Sequence, residues 1–339
     1  MAEAIESAAP SSISVREQLT AESRRAIKAM SVPVPWRSAA RYLRTYLLIG
    51  CAIALHLWAQ HWAITVLAIF FIAARQHSLY VLNHDAAHDM LFSGADPNRR
   101  VATPLSNWVF FHHPEAYSFV QWRRRHRMHH RYLFTDRDLD YRSRVKQGDT
   151  QHGFSRLELL LDLIRTGLKS SFMLFIPSQE CVATDEKSLR EARKSHLALL
   201  FCRFEDDPEM ERERIWKLIS FAVLLPPLLY FVPGTFLLMW IVPMYSVYPA
   251  ILRLMDLTEH VLRVETLEVL ENTRSTRPGL LGTLFVSDSN RTYHREHHLY
   301  SAVPFHKLPE LSATLCRETD MTSPTLGLLR ATGELGSGS

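Results

Sequence analysis

The sequence predicts an all-α integral membrane protein: four transmembrane helices in two hairpins, with a cytosolic helical cap that holds a histidine-rich site for two metal ions. Three observations lead there. Apolar runs come as two closely spaced pairs, residues 47–59 with 64–74 and residues 218–232 with 236–252. Extended to their flanks, each reaches the ~20 residues needed to cross a hydrocarbon core. The segment between the pairs is polar and basic, and 17 of the 339 residues are histidine, the commonest metal-binding side chain. Four buried helices of a soluble protein are the competing reading, which the length and aromatic ends of the runs disfavour.

Residues 1–40 are mixed polar and lack the apolar stretch of a secretory signal. They read as a cytosolic arm, solvated, with one short helix opened by the capping-box pattern Ser14-Val15-Arg16-Glu17 and closed by Pro33 and Pro35. Residues 41–90 form the first hairpin, turning at Gln60-His61 and ending in His84-Asp85-Ala86-Ala87-His88. Residues 91–214 form the cytosolic cap. Two stretches in it, 101–120 and 157–175, are amphipathic and suited either to the bilayer interface or to the core of the cap. Residues 215–260 form the second hairpin, turning at Pro233-Gly234, and residues 261–332 complete the cap. The Gly/Ser-rich end, 333–339, resembles an appended tail and is left out of the fold. The two turns carry no Lys or Arg whereas residues 91–214 carry about twenty, so the positive-inside rule puts both termini and the cap on the cytoplasmic side.

Composition excludes several classes. A net charge of +4 gives no case for nucleic acid. Cys51, Cys181, Cys202 and Cys316 are far apart and form no CxxC pair, which argues against a disulfide framework, an iron–sulfur cluster or a cysteine zinc site.

Nine histidines remain in four places. His84 and His88 stand in HxxxH spacing where the second membrane helix leaves the bilayer. His126, His129 and His130 lie in HRMHH, and His294, His297 and His298 in HREHH. At i, i+3 and i+4 the members of each triplet share one face of a helix. His260 closes the fourth membrane helix. Because both hairpins return the chain to one side, all four places can converge there. One zinc takes three or four ligands; nine imidazoles suit two ions. A nitrogen-rich, thiolate-free set suits iron, copper or zinc, and redox chemistry favours iron.

The motifs HDAAH, HRMHH and HREHH followed by Leu-Tyr-Ser-Ala-Val-Pro resemble the three histidine boxes of the membrane fatty acid desaturase superfamily, over roughly residues 40–315. The resemblance implies a non-haem di-iron (Fe2+) centre at the cytosolic membrane surface, with O2 as co-substrate, that removes hydrogen from an unactivated C–H bond. It makes the eight box histidines metal ligands and His260 the isolated ninth. Where some acyl-CoA members carry asparagine four residues before that histidine, this chain has Asp256, which is then a direct ligand, a water-mediated one, or a partner of Arg253. Asp85, Asp89, Glu259 and Glu296 stand beside ligands and can orient imidazole N–H groups. Arg253, His112 and His113 are candidates to line the substrate.

The reaction also needs two external electrons. The chain has no cytochrome b5 signature and no cysteine cluster, so a ferredoxin or cytochrome b5-type donor with its reductase is implied, and the basic run 123–127 can receive an acidic one. A fatty-acyl chain is the first substrate expected. A small amino-acid-derived metabolite or a carotenoid, acted on by a desaturase, hydroxylase or ketolase, is the alternative. From another class, a non-catalytic zinc-binding transporter or sensor would need ionisable residues through its spans; these spans are apolar apart from Arg253 and Asp256.

Overall fold

The structure is a computed structural model, and it describes residues 12–94, 118–147, 154–172, 201, 203–260, 269–287, 290–322 and 324–326. The described residues are mostly helical: α1 (Ser12–Gln18), α2 (Ala21–Met30), α3 (Pro35–Ala59), α4 (Trp62–Ala87), α5 (Phe119–Tyr132), α6 (Leu139–Gln147), α7 (Arg156–Phe172), α8 (Pro208–Phe231), α9 (Pro233–Glu259), α10 (Val269–Asn272), α11 (Leu280–Phe285), α12 (His294–Leu299) and α13 (Leu308–Glu318). A two-residue parallel pairing joins Thr276–Arg277 to Thr325–Leu326.

Four of these helices, α3, α4, α8 and α9, are long and apolar enough to cross a membrane. In the first hairpin Gln60 adopts a left-handed φ of 46° and its N–H returns to the His56 carbonyl. His61 then opens α4, its Nδ1 accepting the N–H of Ala63 at 3.2 Å. In the second hairpin Pro233 takes the first position of α9, where the missing N–H costs nothing. Apolar side chains such as Leu47 and Trp58 on α3 and Val223 and Phe231 on α8 are exposed, as lipid-facing surface requires.

The hairpins begin earlier than the hydropathy predicts. α3 starts at Pro35 and α8 at Pro208, so each carries charged first turns. α4 also continues past its apolar half: residues 72–87 are buried without interruption and include Arg75, Gln76, His77, Asn83, His84 and Asp85. Gln76 donates to the Trp240 carbonyl at 3.0 Å inside a π-helical turn of α9, Leu237–Ile241, the kind of irregularity that releases a backbone acceptor.

α7 fulfils the amphipathic expectation over residues 157–172, and 173–175 lie outside the described residues. Leu157, Leu160, Leu161, Ile164 and Leu168 form an exposed apolar face, while Gly167 approaches α9 so closely that a Cβ would strike the Ser246 carbonyl. An apolar face beside the spans is suited to the bilayer interface. The other amphipathic stretch lies outside the described residues up to 117.

The arm differs from its expectation. It is not a solvated arm: Val15, Leu19, Ile27 and Met30 are buried, and each buried aliphatic side chain contributes roughly 1.5–3 kcal/mol. Thr20 and Ser23 bond the Glu318 carboxylate, Gln18 reaches Asp320 at 3.2 Å, and Arg16 donates to the Leu299 carbonyl at 2.8 Å. The capping-box reading also fails, because α1 already runs through Ser14; Thr20, accepting from the N–H of Ser23, is the cap and it opens α2.

Candidate metal centre

Four elements deliver the nine histidines. α4 ends in His84 with His88 closing it; α5 carries His126, His129 and His130; His260 closes α9; α12 carries His294, His297 and His298. α5 is an unusually polar helix, and its start is held from two sides. Ser118 Oγ accepts the N–H of Gln121 at 2.9 Å, and the Glu213 carboxylate of α8 accepts those of Phe119 at 2.7 Å and Val120 at 2.9 Å. First-turn N–H groups otherwise lack partners, and negative charge there opposes the positive end of the helix dipole. Lys217 is buried 3.4 Å from Glu213. α12 is anchored by Glu296, which accepts from the hydroxyls of Ser275 and Ser312.

The imidazoles separate into two groups. Ligand atoms of His84, His88, His126, His130 and His297 all lie within 4.8 Å of one another, and so do those of His129, His260, His294 and His298. The i, i+3, i+4 spacing therefore does not aim three rings at one point. In both α5 and α12 the i and i+4 histidines join one group while the i+3 histidine joins the other, as expected from neighbours ~100° apart around a 3.6-residue turn.

Nε2 atoms approach at 3.0 Å for His88–His126 and His126–His130 and at 3.1 Å for His130–His297. In the second group the separations are 3.2 Å for His260–His294 and 2.9 Å for His294–His298. Nitrogens about 2.1 Å from a shared ion stand about this far apart. Both nitrogens of buried His84, and Nδ1 of His260, His294 and His297, have no hydrogen-bond partner. Unmet buried nitrogens of this kind call for a further partner, and the donor set fits two metal ions.

Electrostatics agrees. Burial, followed by the surrounding imidazoles and arginines, pushes His126, His130, His260, His294, His297 and His298 well below the ordinary imidazole range. Burial and then Arg127 and Arg123 bring His88 down to about 3. These rings are neutral at pH 7, the form that binds metal. His129 is the exception: burial lowers it, but the carboxylates of Asp138 and Asp140 raise it above its ordinary value. Asp138 lies 3.0 Å from His129 Nδ1, so an Nδ1–H donated to it leaves Nε2 free to ligate. Asp138 is fixed in turn by the N–H groups of Phe134, Asp140 and Tyr141.

Asp138 was not legible as a site residue, and the four acids that were have other partners. Asp89, with φ of 60°, pairs with Arg127 at 2.8 Å. Asp85 accepts weakly from the N–H of Phe305 at 3.4 Å. Glu296 holds serines, as described. Glu259 accepts from Arg291 at 2.7 Å and is 3.6 Å from His294 Nδ1, which leaves it nearest to the orienting role. Asp256 bonds Arg144 and belongs to neither group, while Arg253 pairs with Asp162 at 2.8 Å. His112 and His113 lie outside the described residues. In the basic run, Arg123 and Arg125 are buried, Arg124 is bonded to Asp207 and Glu209, and Arg125 to Asp140. Among the described residues these arginines are largely matched by acids of the same chain.

A cavity of about 470 Å³ opens onto His126, His129, His260 and His294, with Tyr80 and Trp122 in its wall. Trp122 stacks on His126, ring centroids 4.9 Å apart. On the other side Phe305 covers His84 and His297 at 4.9 and 5.2 Å.

A family model described as Fatty acid desaturase matches residues 60–325, which contain all nine histidines. No curated protein matches the chain.

Proposed function

The chain belongs to the fatty acid desaturase family, an oxidoreductase family of integral membrane proteins, and on that premise we propose that it is an O2-dependent, non-haem di-iron desaturase that introduces a C=C bond into its substrate. The observation that carries the reading is the division of nine buried or half-buried histidines into groups of five and four. His84, His88, His126, His130 and His297 would hold one iron; His129, His260, His294 and His298 would hold the other. The two irons, when bound, supply the reduction of O2 and the removal of hydrogen from an unactivated C–H bond.

The chain itself supplies position and protection. Asp138 keeps the proton of His129 on Nδ1, away from the ligating nitrogen. Trp122 and Phe305 pack against ligand rings and keep water from them. The cavity beside His129 and His260 is where a substrate carbon can reach the centre. Electrons would come from a separate ferredoxin or cytochrome b5-type donor, and the positive-inside pattern supports a centre on the cytoplasmic side.

A fatty-acyl chain is the substrate in first place for this family. The charged lining of the cavity favours a second reading, the same chemistry on a small polar metabolite. Mass spectrometry of lipids and small metabolites from cells producing the wild type or His129→Ala tests both. A product short of two hydrogens, absent with the variant, is expected, and its identity chooses the substrate. A product with one added oxygen would make the protein a hydroxylase. No variant-sensitive product in either fraction would contradict the proposal.

A further inference from the structure

The arm, α1 and α2, precedes the residues matched by the family model, 60–325, yet it packs on the elements that carry the third histidine motif. Val15 and Leu19 belong to the same apolar core as Leu299 at the end of α12 and Leu311 and Leu315 on α13. Thr20 and Ser23 bond Glu318, the last residue of α13. Ser312 of that helix donates to Glu296, inside HREHH, at 2.7 Å. The arm therefore braces the helix that braces the motif.

Arg16 makes the more direct contact. Its guanidinium donates to the carbonyl of Leu299, the last residue of α12, at 2.8 Å, and lies 5.6 Å from the ring centroid of Tyr300, which closes that helix. α12 has six residues, three of them metal-site histidines. A helix so short has little stability of its own, so the aim of its side chains depends on what holds its ends. Tyr293 gives its start no side-chain cap. The start is held by Ser275, whose Oγ accepts the N–H of Arg295 at 3.1 Å and whose hydroxyl bonds Glu296. At the other end the last carbonyls have no partner within the helix, and an arginine can bond them and oppose the negative end of the dipole. Leu299 directly follows His297 and His298, which belong to different groups of ligands. A shift of this helix end moves one ligand in each group.

We propose that Arg16 is a positioning residue of the metal centre: by holding the Leu299 carbonyl and the Tyr300 ring, it fixes the end of α12 and with it the aim of His297 and His298. The inference rests on the metal-centre reading and adds to that centre a segment outside the residues the family model matches.

The test uses full-length protein purified with its bound metal, as wild type, Arg16→Gln and Arg16→Lys. The metal is identified and counted by plasma mass spectrometry, and its release to excess chelator is timed. Arg16→Gln is expected to release metal about tenfold faster than wild type, the low end of what loss of a ligand's supporting partner costs. Arg16→Lys keeps a cationic donor and is expected to stay within about threefold of wild type. The thermal midpoints of the metal-stripped proteins should agree within about 2 °C, because Arg16 is exposed and its replacement opens no core. Unchanged release from Arg16→Gln, or equally fast release from Arg16→Lys, would overturn the proposal. So would a metal-stripped Arg16→Gln whose midpoint falls by many degrees, which would make Arg16 a residue of general stability only. Iron whose release is indifferent to Arg16 sinks this inference and leaves the desaturase reading standing. Zinc in place of iron, released in the expected order, sinks the desaturase reading and leaves this inference standing. A wild type without metal would sink both.

Discussion

His130 and His298 stack with ring centroids 4.2 Å apart and planes 22° from parallel, although their nitrogens belong to different groups of ligands. The two groups therefore share a wall of imidazole. The second and third motifs each bridge that wall, because adjacent residues on α5 and on α12 turn to opposite sides of it. Two centres built on one pair of helices should still be separable.

Removing one ligand from the four-histidine group should cost more than removing one from the five. His260→Ala is expected to purify with about one ion per chain, and His88→Ala to stay nearer two. Metal content by plasma mass spectrometry measures this. Loss of both ions in either variant would show a single cooperative site.

Asp138 and Asp256 make an opposed pair of predictions. Asp138→Asn removes the acceptor that holds the Nδ1 proton of His129 and should weaken metal binding about ten- to a hundredfold against a competing chelator. Asp256→Asn breaks an ion pair with Arg144 and should keep the full metal complement. A metal-depleted Asp256→Asn would return that carboxylate to the ligand set.

Glu213→Gln should lower stability by about 3 kcal/mol, because it strips the charge from the cap of α5 and leaves Lys217 buried without its carboxylate. Thermal denaturation in detergent reads the effect. Pairing the change with Lys217→Met should recover much of the loss, since the buried ammonium is then removed together with the carboxylate.

The boxes were legible because a metal site demands particular side chains at helical spacing, and the spans because a bilayer demands length. Glu213 was hidden in a charge-dense run, 181–214, that reads as a solvated face; its role depends on α8 lying against α5, a contact of residues more than 90 apart in sequence. Asp138 sits in Asp136-Arg137-Asp138-Leu139-Asp140, a run that signals a turn. Its proximity to the second box was the available clue, but choosing among the three carboxylates requires the turn geometry that aims one at Nδ1. The packing of the arm is hidden for a related reason: Val15, Leu19 and Ile27 are buried, yet the surface they cover belongs to the opposite end of the chain.

Acid should dismantle the metal-free protein through its imidazoles. His88 titrates at about 3 in the fold against an ordinary 6.5, through burial first and then Arg127 and Arg123. Its folded value is depressed, so the unfolded chain takes up the proton first. Stability is whole above pH 6.5 and falls as pH drops toward 3; His126, His130, His260, His294, His297 and His298 shift the same way, and His129 does not. The thermal midpoint of metal-stripped protein should be flat from pH 8 to about 7 and decline steeply below 6.5. A midpoint unchanged down to pH 4 would mean the rings are not buried as described.

If nine histidines hold two irons for O2 chemistry, iron and zinc counted per chain reveal it. The protein should be purified from cells grown with iron and without added zinc, and the metal examined by Mössbauer spectroscopy. Two irons per chain in distinct environments are expected, with the signal altered when the reduced protein meets O2. One stoichiometric zinc per chain, with no iron taken up on anaerobic reconstitution, would contradict it.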